Sequence, residues 1–346
     1  MTRIYLIRHA EAEGNLYRVA HGHYDSLITD RGYEQIKALE KRFADIHIDA
    51  VYSSDLFRTR TTAKAIYVPK GLPLHTDADL REVNLGVWED RPWQELTMES
   101  PEQMYFFNRR LEQWQIDGCE TAAQVLDRFL AALHRISREN DGKTVAVFSH
   151  GAAMRIVLGT LQGLRPDQLG DTPHSDNTAV SLLEADGDTI RVIYRDDNQH
   201  LVDAGLSTFA RQSWWKDKRA VESGIYYAPL AEELRQELIA QGAAVPTEGH
   251  LIIVMHDGHA VGFVQLLPEK DPAVGWIGCY WLSPAHRGRR WGIAPLGQAV
   301  KYYRVRGIDR LRMDCPDGDV RRFFEKFGFY PLTGDTLEKY IGYEER

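Results

Sequence analysis

Short runs of consecutive apolar residues that end in polar ones recur along the first half of the chain. Residues 4–7 form one such run and lead to Arg8 and His9, and residues 144–148 form another that leads to His150. A run without polar alternation predicts a strand buried on both faces, as in a parallel sheet flanked by helices. Because ligands gather beyond the carboxyl ends of such strands, these polar residues are candidate functional residues.

Apolar residues spaced three and four apart separate the strands. They predict amphipathic helices over residues 31–46, with Thr29 as N-cap, and over residues 122–137. A second strand is predicted over residues 49–53, and Arg58 lies just beyond it, where the next helix opens. The alternation of strands and helices predicts an α/β fold, a three-layer α/β/α domain with a mostly parallel sheet.

Two further segments of this first domain carry less regular patterns. The aromatic-rich residues 104–114 fit either a helix packed over the sheet or a lid beside a pocket, and we interpret them as packing. Residues 179–183 and 190–194 predict a hairpin that turns at Asp186 and Gly187. Residues 200–219, which include Trp214 and Trp215, are predicted to pack at a domain junction. We place the domains at residues 1–205 and 206–346.

The second domain combines strands, helices and one basic loop. Helices are predicted over residues 231–241 and 293–305, and strands over residues 250–255, 260–266 and 275–282. The loop between the last strand and helix is basic and contains glycine, a combination that suits a pyrophosphate because the backbone can approach it. The candidate anion-binding residues of this loop are Arg287, Gly288, Arg289, Arg290 and Gly292.

The composition narrows the class of protein. A chain of 346 residues is too long for one ordinary core, which predicts two domains. Its 42 basic and 50 acidic side chains give a net charge of −8, which disfavours a nucleic-acid partner. The sequence shows neither a long apolar span nor a secretory leader, so we expect a cytoplasmic protein without a membrane partner. The three cysteines lack the paired spacing of a zinc site or disulfide framework.

Several motifs of the first domain resemble one known family in the same order. Residues 6–11, with Arg8 and His9, are followed by Asn15; residues 52–59 contain Arg58; residues 80–82 end at Glu82; and residues 148–151 contain His150. Together they resemble the histidine phosphatase, or phosphoglycerate mutase-like, superfamily over about the first 200 residues.

The resemblance implies a mechanism for the first domain. His9 is then the nucleophile that carries a phosphohistidine, Glu82 donates the proton to the leaving alkoxide, and His150 completes the catalytic group. Arg8, Asn15 and Arg58 bind the phosphate of a small phosphorylated metabolite. The positive charges and His150 beside His9 are expected to lower the pKa of its imidazole, and no metal is required.

Two departures from that family bear on the reaction. Ala10 stands where the family often has Gly, and Ala12 stands where it often has Thr. Mutases in the family commonly carry extra segments that seat a phosphoglycerate, whereas this domain is short. We therefore expect a phosphatase, with a phosphomutase as the alternative.

The second half resembles the GNAT acyltransferase superfamily, on residues 283–292 and 320–329. The resemblance implies an α+β domain with a mixed sheet, whose loop binds the pyrophosphate of acetyl-CoA. The family's R-x-x-G-x-G/A pattern maps onto residues 287–292, with Arg290 in place of the middle glycine, or onto residues 289–294. Phe324 stands where many members have the tyrosine that protonates the departing thiolate, and a phenylalanine has no proton to give.

Together these features predict a bifunctional enzyme. It joins a metal-free phosphomonoesterase to an acetyl-CoA-dependent N-acetyltransferase with an unidentified amine acceptor. Both activities are expected to act on one small phosphorylated metabolite. The protein is also a candidate homo-oligomer. In the alternative, the second domain senses acyl-CoA or docks a partner without catalysing a reaction. Tyr280, on the predicted strand over residues 275–282, is the candidate base if it is not a packing residue.

Overall fold

The computed structural model describes residues 1–211, 224–289, 291–315 and 318–343. The chain divides into two compact units near residue 222. The predicted boundary between residues 205 and 206 stays a prediction, and Trp214 and Trp215 lie outside the described residues. Within these described ranges, no helix is both long and apolar enough to cross a membrane.

The elements up to residue 211 alternate between strands and helices, as predicted. The strands are β1 (Thr2–Arg8), β2 (Ala50–Ser53), β3 (Leu74–Thr76), β4 (Thr144–Ser149), β5 (Val180–Asp186) and β6 (Thr189–Asp197). The helices are α1 (Glu13–Tyr17), α2 (Asp30–Phe43), α3 (Phe57–Tyr67), α4 (Trp93–Glu99), α5 (Pro101–Arg109), α6 (Ala122–Glu139), α7 (Gly151–Leu161) and α8 (Gln199–Asp203).

The six strands form one mostly parallel sheet in the order β3-β2-β4-β1-β5-β6. The four strands from β3 to β1 are parallel, and β5 and β6 form the predicted antiparallel hairpin at one edge. Because the apolar runs of β1 and β4 lie in the middle of this sheet, both of their faces are covered. The prediction of a mostly parallel sheet is therefore confirmed.

Apolar side chains fill a separate core on each face of the sheet. On one face Leu6 and Val147 pack in a cluster with residues of α6 and α7, including Phe129. On the other face Ile7 and Phe148 pack in a cluster with residues of α2 and α3. Successive strand residues point to opposite faces. The result is the predicted arrangement of three layers.

Local signals fix the ends of several helices. The hydroxyl of Thr29 accepts from the N–H of Gly32, so Thr29 is the predicted N-cap of α2. Thr121 and Gln124 form a capping box at the start of α6. In the aromatic segment, Met104 and Trp114 are buried in the same core as α6, which confirms packing for these two side chains.

The second unit is built around a seven-stranded sheet. Its strands are β7 (Tyr226–Pro229), β8 (His250–His256), β9 (His259–Leu266), β10 (Gly275–Leu282), β11 (Arg310–Asp314), β12 (Tyr330–Thr333) and β13 (Thr336–Tyr340). Its helices within the described residues are α9 (Glu232–Ala240), α10 (Ala294–Arg304) and α11 (Asp319–Lys326).

This second sheet is mixed, in the order β12-β13-β11-β10-β9-β8-β7. The pair β10 and β11 is parallel, and the other neighbouring pairs are antiparallel. The parallel pairing covers only residues 275–277 of β10, and the register against β9 shifts at Gly278. The remainder of β10 therefore leads away from β11 into the basic loop. The predicted α+β fold with a mixed sheet is confirmed.

Candidate active site

Three neighbouring parallel strands of the first unit end at the same level. Arg8 at the end of β1 is paired with Ser149 of β4, and Ser53 at the end of β2 is paired with Phe148 of β4. The residues that follow these ends are His9, Ser54 and His150. The register therefore brings the predicted polar residues to one edge of the sheet.

His9 is buried, with 1% of its surface exposed. Its Nδ1 lies 2.7 Å from the carbonyl oxygen of Ala10. A carbonyl oxygen only accepts, so Nδ1 carries the proton and Nε2 carries the lone pair. The carbonyl of His9 itself accepts from the side chain of Asn177 at 3.0 Å and from the N–H of Thr178 at 3.3 Å. Both the backbone and the ring of His9 are thus fixed.

The pKa of His9 is well below the ordinary value for histidine. Burial is the largest cause, followed by the positive charges of Arg58 and Arg8 and then by His21. His9 is therefore neutral at neutral pH, as expected from the sequence. Arg58 and Arg8 lower the pKa of His9 as expected, but the histidine that contributes is His21 rather than His150.

Arg58 is completely buried at the start of α3. Its Nε donates to Nδ1 of His150 at 3.2 Å. Its Nη1 donates to the carbonyl of Tyr24 at 3.0 Å, and its Nη2 donates to those of His21 and Gly22 at 3.1 and 2.6 Å. The guanidinium is therefore held by the loop of residues 21–24 and by the second histidine.

His150 lies beside His9, with ring centroids 5.3 Å apart. Because its Nδ1 accepts from Arg58, its Nε2 carries the proton and donates to the hydroxyl of Ser54 at 2.9 Å. Burial and then the charge of Arg58 hold its pKa well below the usual range. The second histidine is thus a neutral donor.

In the guanidinium of Arg8, one terminal nitrogen forms a hydrogen bond with a described residue and Nε does not. Its Nη1 donates to the carbonyl of Ser175. Its Nε is buried and has no hydrogen-bond partner among the described residues. A side chain added at Gly151 would place its Cβ 3.1 Å from this nitrogen, so the guanidinium lies against the start of α7. An unpaired buried donor of a charged group is costly, which favours an anionic ligand there.

Asn15 reaches the same region from α1. Its Oδ1 accepts from the N–H of Ala12 at 3.1 Å and from Asn177 at 3.3 Å, and its Nδ2 lies 3.3 Å from Nε2 of His21. The ring of His21 is 5.7 Å from that of His9. Asn15 is therefore linked to His9 through Asn177, and its role as a donor to the phosphate stays a prediction.

Glu82 lies at the N-terminus of α7. Its Oε1 accepts from the N–H of Ala153 at 2.7 Å and of Val83 at 3.0 Å, and its Oε2 accepts from the N–H of Ala152 at 3.0 Å. No pattern in the sequence around Glu82 predicts these partners. The first N–H groups of a helix have no partner within the helix, and the oxygens of Glu82 accept from two of them, those of Ala152 and Ala153.

The backbone around Glu82 is anchored by a largely buried arginine. Arg128, on α6, donates to the carbonyls of Asp79, Arg81 and Glu82 at 2.7 to 2.8 Å. It also pairs with the carboxylate of Glu120 at 2.8 Å. These bonds fix the segment that carries the candidate acid.

The structure adds residues that the sequence analysis missed. Ser54, His21, Asn177 and Arg128 each bond to a candidate site residue or its backbone. Ser54 could have been found, since it follows the end of β2 as His9 follows that of β1. Asn177 and Arg128 leave no local signal, because their partners lie 168 and 46 residues away in the sequence.

In the second unit, the predicted basic loop joins β10 to α10. Gly288 has a positive φ of 75°, and among the described residues other than its two chain neighbours no heavy atom lies within 4 Å of a Cβ built on it. Arg287 donates from Nε to the carbonyl of Leu282 at 2.8 Å, and the guanidinium of Arg289 lies 5.3 Å from the ring centroid of Trp291. Arg290 lies outside the described residues.

Gly292, the last predicted residue of the loop, is tied to the sheet. Its carbonyl accepts from the hydroxyl of Tyr280 on β10. Burial raises the pKa of Tyr280, which keeps the hydroxyl protonated. Phe324 is completely buried, with its ring 5.4 Å from that of Tyr280. Tyr280 thus holds the loop, and Phe324 belongs to the core.

The residues of this loop fit the pyrophosphate of acetyl-CoA. Arg287 and Arg289 are exposed and form no ion pair within the described stretches of the chain. The open space at Gly288 leaves its backbone accessible, and α10 begins at Ala294 directly beyond the loop. Exposed cations, accessible backbone and a following helix form a suitable arrangement for a bound phosphate.

Comparisons with known proteins agree with both halves. Residues 4–198 match the family model of the histidine phosphatase superfamily (branch 1), and residues 209–329 match that of the acetyltransferase (GNAT) family. The Probable phosphoglycerate mutase GpmB of Yersinia pestis (strain Pestoides F) is 36% identical over 164 residues, which cover 47% of this chain and 76% of that protein.

Solved structures also resemble the first half. YhfR of Bacillus stearothermophilus is 28% identical with a TM-score of 0.56, over 58% of this chain and 100% of that one. The alpha-ribazole phosphatase from Shigella flexneri, at 23% identity and a TM-score of 0.51, covers 56% and 96% and shows the fold alone. The chain belongs to the histidine phosphatase superfamily, branch 1, and carries a GNAT acetyltransferase domain that follows the phosphatase-like domain in the sequence.

Proposed function

We propose that the first domain, over residues 1–205, hydrolyses a small phosphate monoester through a phosphohistidine at His9. The hydrogen bond from Nδ1 of His9 to the carbonyl of Ala10 carries this proposal, because it leaves the lone pair on Nε2. The low pKa of His9 keeps that lone pair available at neutral pH. A neutral, fixed imidazole is what attack on phosphorus requires.

Arg8, Arg58 and Asn15 bind the phosphoryl group in this proposal. The unpaired Nε of Arg8 supports the role most directly, since a phosphate oxygen would satisfy it. Neither Arg8 nor Arg58 forms an ion pair with a carboxylate within the described residues, so their charge is available to an anion. His150 donates from Nε2, which bonds to Ser54 in the structure, to a phosphoryl oxygen in the complex.

Glu82 is the proton donor and acceptor of the two steps. Nε2 of His9 bonds to phosphorus as the ester P–O bond breaks, and the leaving oxygen takes a proton from Glu82. Water then attacks phosphorus and gives a proton to Glu82, and the P–N bond breaks. His9 returns to its neutral form. The bonds from the N–H groups of Ala152 and Ala153 hold Glu82 at the start of α7, directly after His150 in the sequence, and support this role.

A phosphatase and a phosphomutase share these steps and differ in the acceptor. The protein from Yersinia pestis is named as a mutase and the one from Shigella flexneri as a phosphatase, so both remain open to test. We favour the phosphatase because the domain is short. Incubation with phosphoglycerate and other phosphate esters, with inorganic phosphate and isomerised ester measured together, separates the two reactions. Isomerised ester without phosphate release would establish the mutase.

The second domain, over residues 206–346, is proposed as an acetyl-CoA-dependent N-acetyltransferase. Bound acetyl-CoA supplies the acetyl group as a thioester to an amine. Arg287, Arg289 and the backbone at Gly288 and Gly292 would hold its pyrophosphate, with Arg290 as a further sequence candidate. Tyr280 keeps this loop in place through Gly292. The test is acetyl-CoA binding to the whole chain by calorimetry, followed by thiol release with a library of amines.

A non-catalytic second domain is favoured by one observation. Phe324 occupies the core where the family often has a tyrosine acid, and the hydroxyl of Tyr280 is engaged by Gly292. Under this alternative, acetyl-CoA binds and no amine in the library is acetylated. Thiol release that depends on an added amine would exclude it.

A further inference from the structure

The loop of residues 21–24 surrounds the guanidinium of Arg58. Three carbonyls of this loop, those of His21, Gly22 and Tyr24, accept hydrogen bonds from its two terminal nitrogens. The loop belongs to no helix or strand. Its conformation, and with it the position of Arg58, must therefore be fixed by other contacts.

The carboxylate of Glu89 supplies those contacts. Its Oε2 accepts from the N–H of Gly22 at 3.0 Å and of Tyr24 at 2.8 Å, and its Oε1 accepts from the N–H of His23 at 2.7 Å and of Leu85 at 2.9 Å. One carboxylate thus satisfies three consecutive N–H groups of the loop. The carbonyls of the same loop are left for Arg58.

The fit between this carboxylate and the loop leaves no space at Gly22. A Cβ added there would lie 2.5 Å from Oε1 of Glu89 and 2.2 Å from the carbonyl oxygen of Val83. These are distances that real Cβ atoms do not adopt, and the carbonyl belongs to rigid backbone. The close approach of Gly22 therefore depends on its lacking a side chain.

The same loop also reaches the candidate acid. Nε2 of His23 lies 3.0 Å from the carbonyl oxygen of Glu82, so it carries the proton and donates. A carboxylate that fixes the loop therefore influences two groups of the site at once: Arg58 through the loop carbonyls, and the backbone of Glu82 through His23.

We propose that Glu89 is a positioning residue of the phosphatase site, which holds Arg58 in place for the phosphate by bonding the N–H groups of residues 22–24. This inference rests on the proposed function. The carboxylate does not need to touch the substrate. Burial lowers the pKa of Arg58, and the negative charges of Glu82, Asp25 and Glu89 act against this shift.

The test replaces Glu89 with Gln and measures binding of inorganic phosphate to the whole protein by calorimetry. The amide of Gln keeps one acceptor oxygen. Its NH2 group replaces the other oxygen and faces backbone N–H groups to which it cannot bond as an acceptor. We expect the Kd for phosphate to rise about tenfold, because the change removes the equivalent of one charge-assisted hydrogen bond. Glu95→Gln is the matched control, since Glu95 pairs with Arg91 and contacts none of these residues. It should leave the Kd unchanged.

A double-mutant cycle separates positioning from general loosening of the fold. If Glu89 acts through Arg58, Glu89→Gln has little further effect on phosphate binding once Arg58 is Ala. Equal losses with and without Arg58 would overturn the proposal, as would a Kd in Glu89→Gln equal to that of the wild type. Glu89→Asp, which keeps the charge, should bind phosphate better than Glu89→Gln and serves in its place if the amide variant does not fold.

The wild-type protein distinguishes this proposal from the one on which it rests. If the wild type binds phosphate and the cycle is additive, only the role of Glu89 is wrong. If the wild type binds no phosphate, the proposed phosphatase is wrong and the role of Glu89 falls with it.

Discussion

The chemistry proposed for His9 depends on the peptide carbonyl of Ala10. That carbonyl accepts the Nδ1 proton, so the attacking atom is Nε2, and burial with two arginine charges keeps the ring neutral. The second histidine has the opposite tautomer, because Arg58 donates to its Nδ1. The two buried histidines thus have different tautomers, set by their hydrogen-bond partners, and these suit the proposed roles of nucleophile for His9 and donor for His150.

The role of Glu82 gives a prediction at the same scale. Glu82→Gln removes the transferable proton but keeps an acceptor oxygen for the N–H groups of α7. For an alkyl phosphate, whose leaving oxygen needs that proton, kcat/KM should fall by about 10² to 10⁴. For p-nitrophenyl phosphate, whose leaving group is stable as an anion, the fall should be much smaller.

Steady-state kinetics with both esters checks this expectation. Glu99→Gln, a change at a largely exposed carboxylate paired with Arg91, is the control and should leave both rates unchanged. Equal losses for the two esters in Glu82→Gln would show that Glu82 is not the acid.

Individual elements explain which parts of the site could be predicted. The apolar runs of β1 and β4 are visible in the sequence, and parallel pairing then places Arg8 beside Ser149. The loop of residues 21–24 and the contacts of Glu82 were not predictable in this way. They depend on hydrogen bonds between residues far apart in sequence, such as that from Ala153 to Glu82. Periodicity carries no information about such partners.

Arg128 and Arg138 of helix α6 have different surroundings, and Arg128 supports the candidate site. Arg128, largely buried, holds the carbonyls of residues 79, 81 and 82 and pairs with Glu120. Arg138, on the same helix, forms an exposed ion pair with Asp188 at 4.0 Å. Arg128→Ala should lower the free energy of unfolding by about 3 kcal/mol. Arg138→Ala should change it by less than about 0.5 kcal/mol.

Urea denaturation of both variants measures these changes. Comparable, small losses in the two would mean that the bonds of Arg128 to the segment of Glu82 do not contribute to stability.

Helix α8 carries a histidine that couples stability to pH. Nδ1 of His200 accepts from Arg42 at 3.1 Å, so its Nε2 donates to Thr178 at 3.0 Å. Burial, followed by the charge of Arg42, lowers its pKa to about 4. The unfolded chain binds a proton there below about pH 6.5, whereas the folded chain does not until about pH 4.

Stability should therefore fall as the pH drops through this window. The difference of about 2.5 units corresponds to about 3 kcal/mol for this one group. His200→Gln should reduce the slope of unfolding free energy against pH by about one proton, measured by urea denaturation across the window. His47→Gln, at an exposed histidine, is the control. An unchanged slope in His200→Gln would contradict the pKa assignment.

At the scale of the whole molecule, the length of the chain predicted two domains. The alternation of buried strands and helices predicted a mostly parallel sheet in the first half, and the GNAT resemblance implied a mixed sheet in the second. The mostly parallel and mixed sheets confirm this. The sequence could not show that Tyr280 would hold Gly292, nor that Phe324 would be completely buried. The first depends on where the basic loop folds against β10, and the second on the packing of Phe324 of α11 against Tyr280. The periodicity of these elements specifies neither.

The two proposed sites should respond separately to mutation. Gly288→Ala forces an alanine into a positive φ of 75°, which costs about 1 kcal/mol and distorts the loop. We expect a several-fold weaker Kd for acetyl-CoA by calorimetry and unchanged hydrolysis of p-nitrophenyl phosphate. Unaltered binding of acetyl-CoA would show that the loop does not hold it. Loss of hydrolysis as well would show that the two activities are coupled.

The phosphoenzyme tests the central claim most directly. The protein is mixed with a phosphate monoester, quenched in base, and the modified residue is located by mass spectrometry. We predict an acid-labile phosphate on His9, and neither phosphoenzyme nor phosphate release from His9→Ala. Phosphate on a different side chain, or continued phosphate release from His9→Ala, would contradict the account.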